Sequence, residues 1–577
     1  MIIVDVGSTT TKALLFAKQD GVWNYIERGE AATTVEAPFE DVMVGLRQAL
    51  KLLEERSGFV LSNDTNFSEA DRVLQSDEEF LVTCSAGGGL QMVVCGNASR
   101  LTGESAQRAA MGGGAILLDV FVADDGRQHS HNLELLRNLR PDMILLCGGV
   151  EGTRNIGFII EMCDFLRTAK PRPKFDYQQP LPLVYAGASD LAPVVEDLLG
   201  EDFLLRVVDN LRPTFDKENL EPAREAIHEL FIEHVMSSAP GYSHLQAKAT
   251  QPLLPTPRAV GEIITRYARH RGANILCLDI GGATTDIFSV VAGRYVRTVS
   301  ANYGMSYSIG NVVTKAGLPN IMRWLPSFIS EKQVKLSVGA KMLNPTSIPS
   351  AVEDLHIEQA VAREALRLAF LDHLELSKIQ APKSVFTSEL LQKARRLNIE
   401  EVDAIIGSGG VLSHAPHRGQ AAAMLIDAFQ PLGSTELLVD SVFMLPHLGA
   451  FGLLDEANAL RVLEKDCLIP LGTVLAPAGK ARSGKLALRL TGITSTGERL
   501  YAEANSGDFL CLPLPPHETA EVEVTVHSGA SWPWKPRFTV RGGLCGLIID
   551  LRGRPLPLGA ENAYNPAWVE ELCQGGE

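Results

Sequence analysis

No C-x-x-C pair occurs among the nine cysteines, at positions 84, 95, 147, 163, 277, 467, 511, 545 and 573, and their number is odd. Scattered thiols of this kind, several inside apolar strand-like runs, point to reduced buried side chains rather than disulfides or an iron–sulfur site. Positive charge is also scarce. Against 69 Asp and Glu stand 53 Lys and Arg, giving a formal charge of −16 and a pI near 5.4. That balance argues against nucleic acid or an anionic membrane as the main partner, because phosphate recognition on such a scale needs clustered basic side chains. Nowhere do 18 apolar residues run uninterrupted, and the chain opens on an apolar strand without a basic n-region or cleavage site. The expectation is a cytoplasmic protein without a membrane partner.

The chain is long: 577 residues exceed what one hydrophobic core organises, so three or four domains are expected. Hydrophobic residues at 45% and charged residues at 21% are ordinary for packed domains, which excludes a disordered or fibrous chain. Two segments half a chain apart share one grammar, Asp5-Val-Gly-Ser-Thr-Thr-Thr-Lys12 and Asp279-Ile-Gly-Gly-Ala-Thr-Thr-Asp286. Each follows an apolar run, Ile2 to Val4 or Ile275 to Leu278, that delivers a carboxylate to a strand end. The turn beyond is stripped of bulk, so backbone N–H groups can approach an anion.

Two such turns predict a cleft whose walls grip one polyphosphate, with Asp5 and Asp279 holding a hydrated Mg²⁺. In that reading Lys12 contacts phosphate as a point charge, Gly7 opens the first turn, and Ser8, Thr9 and Thr10 add donors. Gly281 and Gly282 bring N–H groups to the phosphates, Ala283 keeps the turn small, and Thr284 or Thr285 adds a hydroxyl. Asp279 acts on a metal-bound or attacking water, so Asp5, Asp279 and Lys12 are the catalytic candidates. This is no Walker A loop, since no glycine precedes Lys12 at the required spacing. A third glycine run, Gly407-Ser-Gly-Gly-Val411, follows the apolar strand 402–406; Gly407, Gly409 and Gly410 would let a nucleoside lie against bare backbone. Met444 to Leu460 reads as one helix with small residues, Gly449, Ala450, Gly452 and Ala457, on its packing face.

Periodicity divides the chain into four parts. Residues 1–97 read as the first lobe, with an amphipathic helix over 38–56 and a surface loop over 57–77. Residues 98–250 alternate strands and helices as a parallel sheet does, and form an inserted Rossmann-like domain. Residues 251–465 hold the second lobe, preceded by the Pro-rich Gln251-Pro-Leu-Leu-Pro-Thr-Pro257, and residues 466–577 a β-rich C-terminal domain. The fold class is α/β; the resemblance of these motifs, in their order, to those of actin and the sugar kinases implies a two-lobed actin-like ATPase with ribonuclease H-like lobes.

These motifs in this order resemble the superfamily of two-lobed ATPases that includes actin, the large heat-shock chaperones and the sugar kinases. Within it, the chain is similar over residues 1–465 to the MutL/GlmL family, accessory ATPases of glutamate (methylaspartate) mutase, unrelated to the mismatch-repair protein of like name. The similarity is carried by Asp5–Lys12, Ser85-Ala-Gly-Gly-Gly-Leu-Gln-Met-Val-Val94, Pro141-Asp-Met-Ile-Leu-Leu-Cys-Gly-Gly149, Val184-Tyr-Ala-Gly187, Asp279–Asp286, Arg297-Thr-Val299 and Gly304-Met305. The resemblance implies an ATP- and Mg²⁺-dependent chaperone or reactivase whose protein partner is an adenosylcobalamin-dependent mutase or aminomutase, its cycle opening and closing the lobes. Ala188-Ser189 departs from the pattern where an asparagine is expected after Gly187. Three other readings stay open from the residues: a metabolic ATP-dependent hydrolase or small-molecule kinase, a non-catalytic nucleotide-sensing scaffold, and an electron-transferring activator that would need cluster-bridging cysteines. The inserted domain invites comparison with a cobalamin-binding domain, but His129 and His131 lack an Asp-x-His-x-x-Gly setting and read as a solvated loop pair.

Overall fold

A computed structural model of the chain describes residues 1–7, 10–35, 39, 41–59, 79–85, 90–153, 156–172, 180–231, 234, 241–282, 284–300, 302–306, 308–345, 347–377, 397–479, 482, 484–527, 529–556 and 572. Outside them lie Ser8, Thr9, Ala283, Cys573, most of the loop expected over 57–77, and residues 86–89 of the Ser85 motif. By compactness the chain forms two units. One is built from Met1–Ile263 and Leu445–Val462, the other from Ile264–Ser377, Arg396–Met444 and Leu463–Glu577.

The first unit begins with strands β1 (Ile2–Val6), β2 (Thr10–Gln19), β3 (Val22–Ala32) and β4 (Phe80–Cys84), joined much later by β10 (Leu254–Pro255). Their sheet order is β10-β4-β1-β2-β3. β1 runs antiparallel to β2 and parallel to β4, and every one of its residues is buried, as a central strand covered on both faces requires. The helix Val42–Ser57 packs against β3 and β2 through Val42, Leu46, Ala49 and Leu53. It starts later than the sequence pattern suggests, because Asp41 accepts a hydrogen bond from the Met43 N–H and so sets the N-cap.

Between β4 and β10 the chain builds a second, wholly parallel sheet from β5 (Gln91–Gly96), β6 (Ile116–Val122), β7 (Met143–Leu146), β8 (Leu181–Tyr185) and β9 (Phe203–Val207). The order β6-β5-β7-β8-β9 is the 2-1-3-4-5 order of a doubly wound fold. Alternate residues of β5 serve different cores: Met92 and Val94 pack with the first sheet's helix side, Val93 and Cys95 with helix Gly157–Ala169. This first strand of the insertion lies inside the stretch 1–97 that the sequence assigns to the first lobe. His129 and His131 are not a loop pair. They occupy the exposed first turn of helix His129–Leu139, with the His129 ring edge-on to Phe165 at 5.7 Å.

The second unit repeats the first sheet's plan. Strands β11 (Ile275–Ile280), β12 (Thr285–Val291), β13 (Arg294–Ser300), β14 (Ala404–Ser408) and β15 (Gly433–Asp440) take the order β13-β12-β11-β14-β15. The pairing directions are those of the first sheet, antiparallel from β11 to β12 to β13 and parallel from β11 to β14 to β15. Helix Val352–Ser377 buries Leu366 and Phe370 against this unit's core, and helix Arg418–Phe429 lies beside it.

The C-terminal region is β-rich, but part of it belongs to this larger sheet. β16 (Leu468–Ala476), β19 (Phe509–Leu512) and β22 (Leu547–Asp550) extend it past β15 as β16-β22-β19. β17 (Leu486–Thr494), β18 (Arg499–Asn505), β20 (Thr519–Val526) and β21 (Arg537–Arg541) form a separate antiparallel sheet. Its buried face, with Leu488, Leu490, Val522 and Val524, packs on Leu475, Leu547 and Ile549 of the larger sheet. A buried charge chain ties the end of β22 to helices Val352–Ser377 and Arg418–Phe429: Asp427 accepts from Arg363 at 2.8 Å and Arg552 at 2.9 Å, and Asp550 accepts from Arg552 and Arg554. Burial pushes the Asp550 carboxyl up, but Arg552 and Arg554 outweigh it and hold the group well below the usual carboxylate range.

The single helix expected over Met444 to Leu460 is two, Leu445–Leu454 and Glu456–Val462, and both belong to the first unit. The first of them packs on β4 and β1. A Cβ on Gly449 would sit 1.9 Å from the carbonyl oxygen of Ala259, so only glycine lets this helix approach helix Thr256–Arg271 so closely.

Candidate functional site

In the first unit β1 and β2 pair in a register that sets Lys12 directly opposite Asp5, and the Gly7 N–H closes the turn on the Thr10 carbonyl at 3.0 Å. In the second unit Asp286 stands opposite Asp279, and the Gly281 N–H closes on the Thr284 carbonyl at 2.9 Å. The two hairpins are therefore equivalent residue by residue, including threonines that turn inward at the same place. The Thr11 hydroxyl meets that of Thr33 at 2.9 Å, and the buried Thr285 hydroxyl donates to the Tyr303 carbonyl at 2.6 Å. The Gly281 N–H and the Thr285 hydroxyl, expected among the phosphate contacts, are engaged inside the turn; Thr285 is buried, while Gly281, Gly282 and Thr284 are half-exposed.

Asp5 is 6% exposed, and its Oδ1 accepts hydrogen bonds from Thr83 at 2.7 Å and Thr256 at 2.6 Å. Thr83 stands beside it on β4, in parallel register. Thr256 is the first residue of helix Thr256–Arg271. Two hydroxyls on one oxygen orient the carboxylate and neutralise part of its cost of burial. Lys12 and Thr10 are half-buried in the same hairpin, and the Lys12 carbonyl lies 3.4 Å from Nε2 of the buried His447.

In the second unit Asp279 is half-exposed at the end of an otherwise buried strand. β14 runs parallel beside it and pairs Ser408 with Asp279, so the Asp279 loop and the Gly407–Gly410 turn meet at one end of the sheet. Gly407 and Ser408 belong to the strand itself, and Gly410 opens the helical turn Gly410–Ser413. The glycines serve different ends. Gly409, at φ 108°, passes so close to β11 that a Cβ there would lie 2.2 Å from the Ile280 carbonyl oxygen. Gly407 faces Leu412 and Leu425, while Gly410 faces open space. Of the three, Gly410 alone offers bare backbone to a ligand.

Position 286 holds an acid where the first hairpin has a lysine, and it is matched by Arg297 of β13, whose Nε donates to Asp286 Oδ1 at 2.9 Å. Met305 and Ser306 brace the loop from behind, donating their N–H groups to the carbonyls of Gly281 and Gly282 at 2.9 and 2.8 Å. The neighbouring Thr298 hydroxyl reaches Nδ1 of His373 at 2.9 Å, while Ser289 meets Nε2 at 2.8 Å. Burial first, with Arg294 adding to it, lowers the His373 pKa to about 3, so the imidazole stays neutral and pins helix Val352–Ser377 to the sheet.

A third carboxylate closes this end of the sheet. Asp440, fully buried at the tip of β15, accepts from the N–H groups of Val442 and Met444 at 3.1 and 3.2 Å and from the Cys467 thiol. Burial, and then this carboxylate, push the Cys467 thiol far above its ordinary range, so it is an inert packing group. Thr83, Thr256, Ser408, Asp440 and the Asp286–Arg297 pair escaped the sequence. The one signal for Thr256 was its place in the Pro-rich run read there as a boundary.

In the insertion, the Gly187 loop is not left idle by the missing asparagine. Ser189 donates its N–H and hydroxyl to Glu151, whose other partner is the Asn210 amide at 2.7 Å. Burial would raise the Glu151 pKa, but these hydrogen bonds lower it.

Two sheets of one topology, each with an acid-glycine hairpin at the carboxyl end of its central parallel strands, define an actin-like ATPase fold with a doubly wound insertion and a β-rich C-terminal region. The chain belongs to the MutL protein family, whose family model matches residues 1–467. It is 27% identical over 498 residues to Protein MutL of Clostridium tetanomorphum, covering 80% of this chain and 98% of that one. Among solved structures it is similar to the xylulose kinase from Bifidobacterium adolescentis, at 12% identity, covering 82% of this chain and 96% of that one with a TM-score of 0.29. It is also similar to a glycerol dehydratase reactivase, at 11% identity, covering 74% and 95% with a TM-score of 0.27.

Proposed function

We propose that this protein binds and hydrolyses MgATP through its two hairpins and works as an accessory factor, a chaperone or reactivase, for an adenosylcobalamin-dependent mutase or aminomutase. The observation that carries the ATP reading is the duplicated hairpin, with Asp5 set against Lys12 and Asp279 against Asp286 in equivalent registers. The donor set fits Mg²⁺ held through water: Asp5 is oriented by two hydroxyls on one oxygen, and Asp279 stands half-exposed at a strand end. When bound with the nucleotide, Mg²⁺ supplies neutralisation of phosphate charge.

The chain's own groups do the rest. Lys12 presents its ammonium to a phosphate oxygen, Thr10 and Thr284 donate hydroxyls, and the Gly282 N–H faces the anion. Asp279 accepts the proton of the attacking water. Gly410 leaves backbone open for the nucleoside. The partner assignment rests on membership of the MutL family over residues 1–467. It is tested by measuring ATP turnover of the purified chain alone, with a glutamate mutase or an aminomutase, and with candidate metabolites. Stimulation by a mutase supports the reading. Stimulation by a metabolite, with a new phosphorylated or hydrolysed product, replaces it with a metabolic enzyme.

A further inference from the structure

The doubly wound insertion contains a cavity of about 440 Å³ that plays no part in the nucleotide reading. It is walled by the carboxyl end of β6 and by helices His129–Leu139 and Gly157–Ala169. That is the end of the sheet at which doubly wound folds hold their ligands, and the volume lies within the range of small-molecule sites.

Its chemistry is one-sided. Phe121, Phe158 and Phe165 supply an apolar wall, and the charged groups beside them are three carboxylates, Asp125, Glu161 and Asp164, against the one guanidinium of Arg127. Arg127 lines the cavity too, but its guanidinium is already used. It donates to Asp119 at 2.6 Å and Asp125 at 2.9 Å, and it lies over the Phe121 ring at 4.9 Å. Glu161 and Asp164, one helical turn apart and exposed, enter no salt bridge among the described residues. An independent sign comes from Asn132, which lines the same cavity and is 9% exposed. Its Nδ2 donates to Asp125 Oδ2 at 3.1 Å, while its buried Oδ1 accepts no hydrogen bond among the described residues. A buried acceptor left without a donor is costly, and a ligand that brings N–H groups relieves it.

We propose that this cavity binds an organic cation, an ammonium or guanidinium group on an apolar body. The phenylalanines take the body, and Asn132, Glu161 and Asp164 take the charged head. A free amine and a Lys or Arg side chain of a docking protein share this chemistry.

The test is calorimetric titration of the full chain, without nucleotide, with phenethylammonium and with N-acetyl-lysine amide. Neutral 2-phenylethanol serves as the control. Saturable binding of either cation, roughly tenfold weaker in Glu161→Gln/Asp164→Asn, is expected, one charge-assisted hydrogen bond being worth about that factor. Tighter binding of phenethylammonium assigns a free amine, and tighter binding of the lysine derivative a protein side chain. No saturable binding of either cation, equal binding of 2-phenylethanol, or indifference to the double substitution overturns the proposal. Because no ATP is present, that failure would leave the nucleotide reading untouched.

Discussion

Asp5 shows how a candidate catalytic group depends on residues that carry no motif of their own. Its Oδ1 is held by the hydroxyls of Thr83 and Thr256, which come from a neighbouring strand and from the start of a helix. Thr256→Val keeps the shape and removes one of these donors. Hydrogen bonds to charged groups are worth about 1.5–3 kcal/mol, so the urea midpoint is expected to fall by up to that amount and MgATP affinity roughly tenfold or more. Unchanged affinity by calorimetry would show that Asp5 needs no such orientation. The Asp-x-Gly grammar was legible because acid, glycine and threonines are adjacent in the chain. Thr83 was not, since a lone threonine in the apolar run 80–84 means nothing until the strand register sets it beside Asp5. Asp440 escaped for the same reason, as its partners Ser408 and Cys467 are 32 and 27 residues away.

Glycine carries two messages at the level of elements, and the sequence alone does not separate them. Gly407 and Gly409 looked like room for a nucleoside, yet their space is filled by Leu412, Leu425 and the Ile280 carbonyl; Gly410 faces open space. Likewise Gly449 is fixed by helix packing, not by a ligand. Gly449→Ala would force its Cβ to within 1.9 Å of the Ala259 oxygen, a backbone atom that cannot step aside cheaply. The expected loss is about 1–3 kcal/mol in urea denaturation. Gly410→Ala should leave that midpoint unchanged and weaken nucleotide binding; unchanged affinity would remove the nucleoside from this turn. The same limit applies to strands. β16 and β22 pair although some seventy residues of chain separate them, so the tail's periodicity showed strands but not that the large sheet shares them. The helix break at Asp455 had no proline or glycine beside it to announce it.

For the molecule as a whole, buried titratable groups in both units set one direction of pH dependence. Burial lowers the pKa of His373 to about 3 and that of His228 to about 4, so each is neutral when folded but takes a proton near pH 6.5 when unfolded. Their contribution is intact above that pH and lost as it falls toward 4 and 3. Glu218 adds to this. Burial alone would raise its pKa, but Arg108, Ser105 and Arg212 hold it at about 2, a contribution lost as the pH falls from 4.5 to 2. The urea midpoint should therefore drop from pH 7.5 to pH 5, by up to roughly 2 kcal/mol for each histidine; a flat profile would contradict their burial as neutral groups. The repeated sheet is the larger lesson at this scale, because only the pairing directions reveal that β10-β4-β1-β2-β3 and β15-β14-β11-β12-β13 are one plan used twice. The proposal that the repeated hairpins bind MgATP is tested most directly by calorimetric titration of the chain with MgATP beside Asp5→Ala and Asp279→Ala. Saturable binding by the intact chain, lost or weakened at least roughly tenfold in each variant, is the predicted result. Absence of binding by the intact chain, or affinity that survives either substitution, would contradict it.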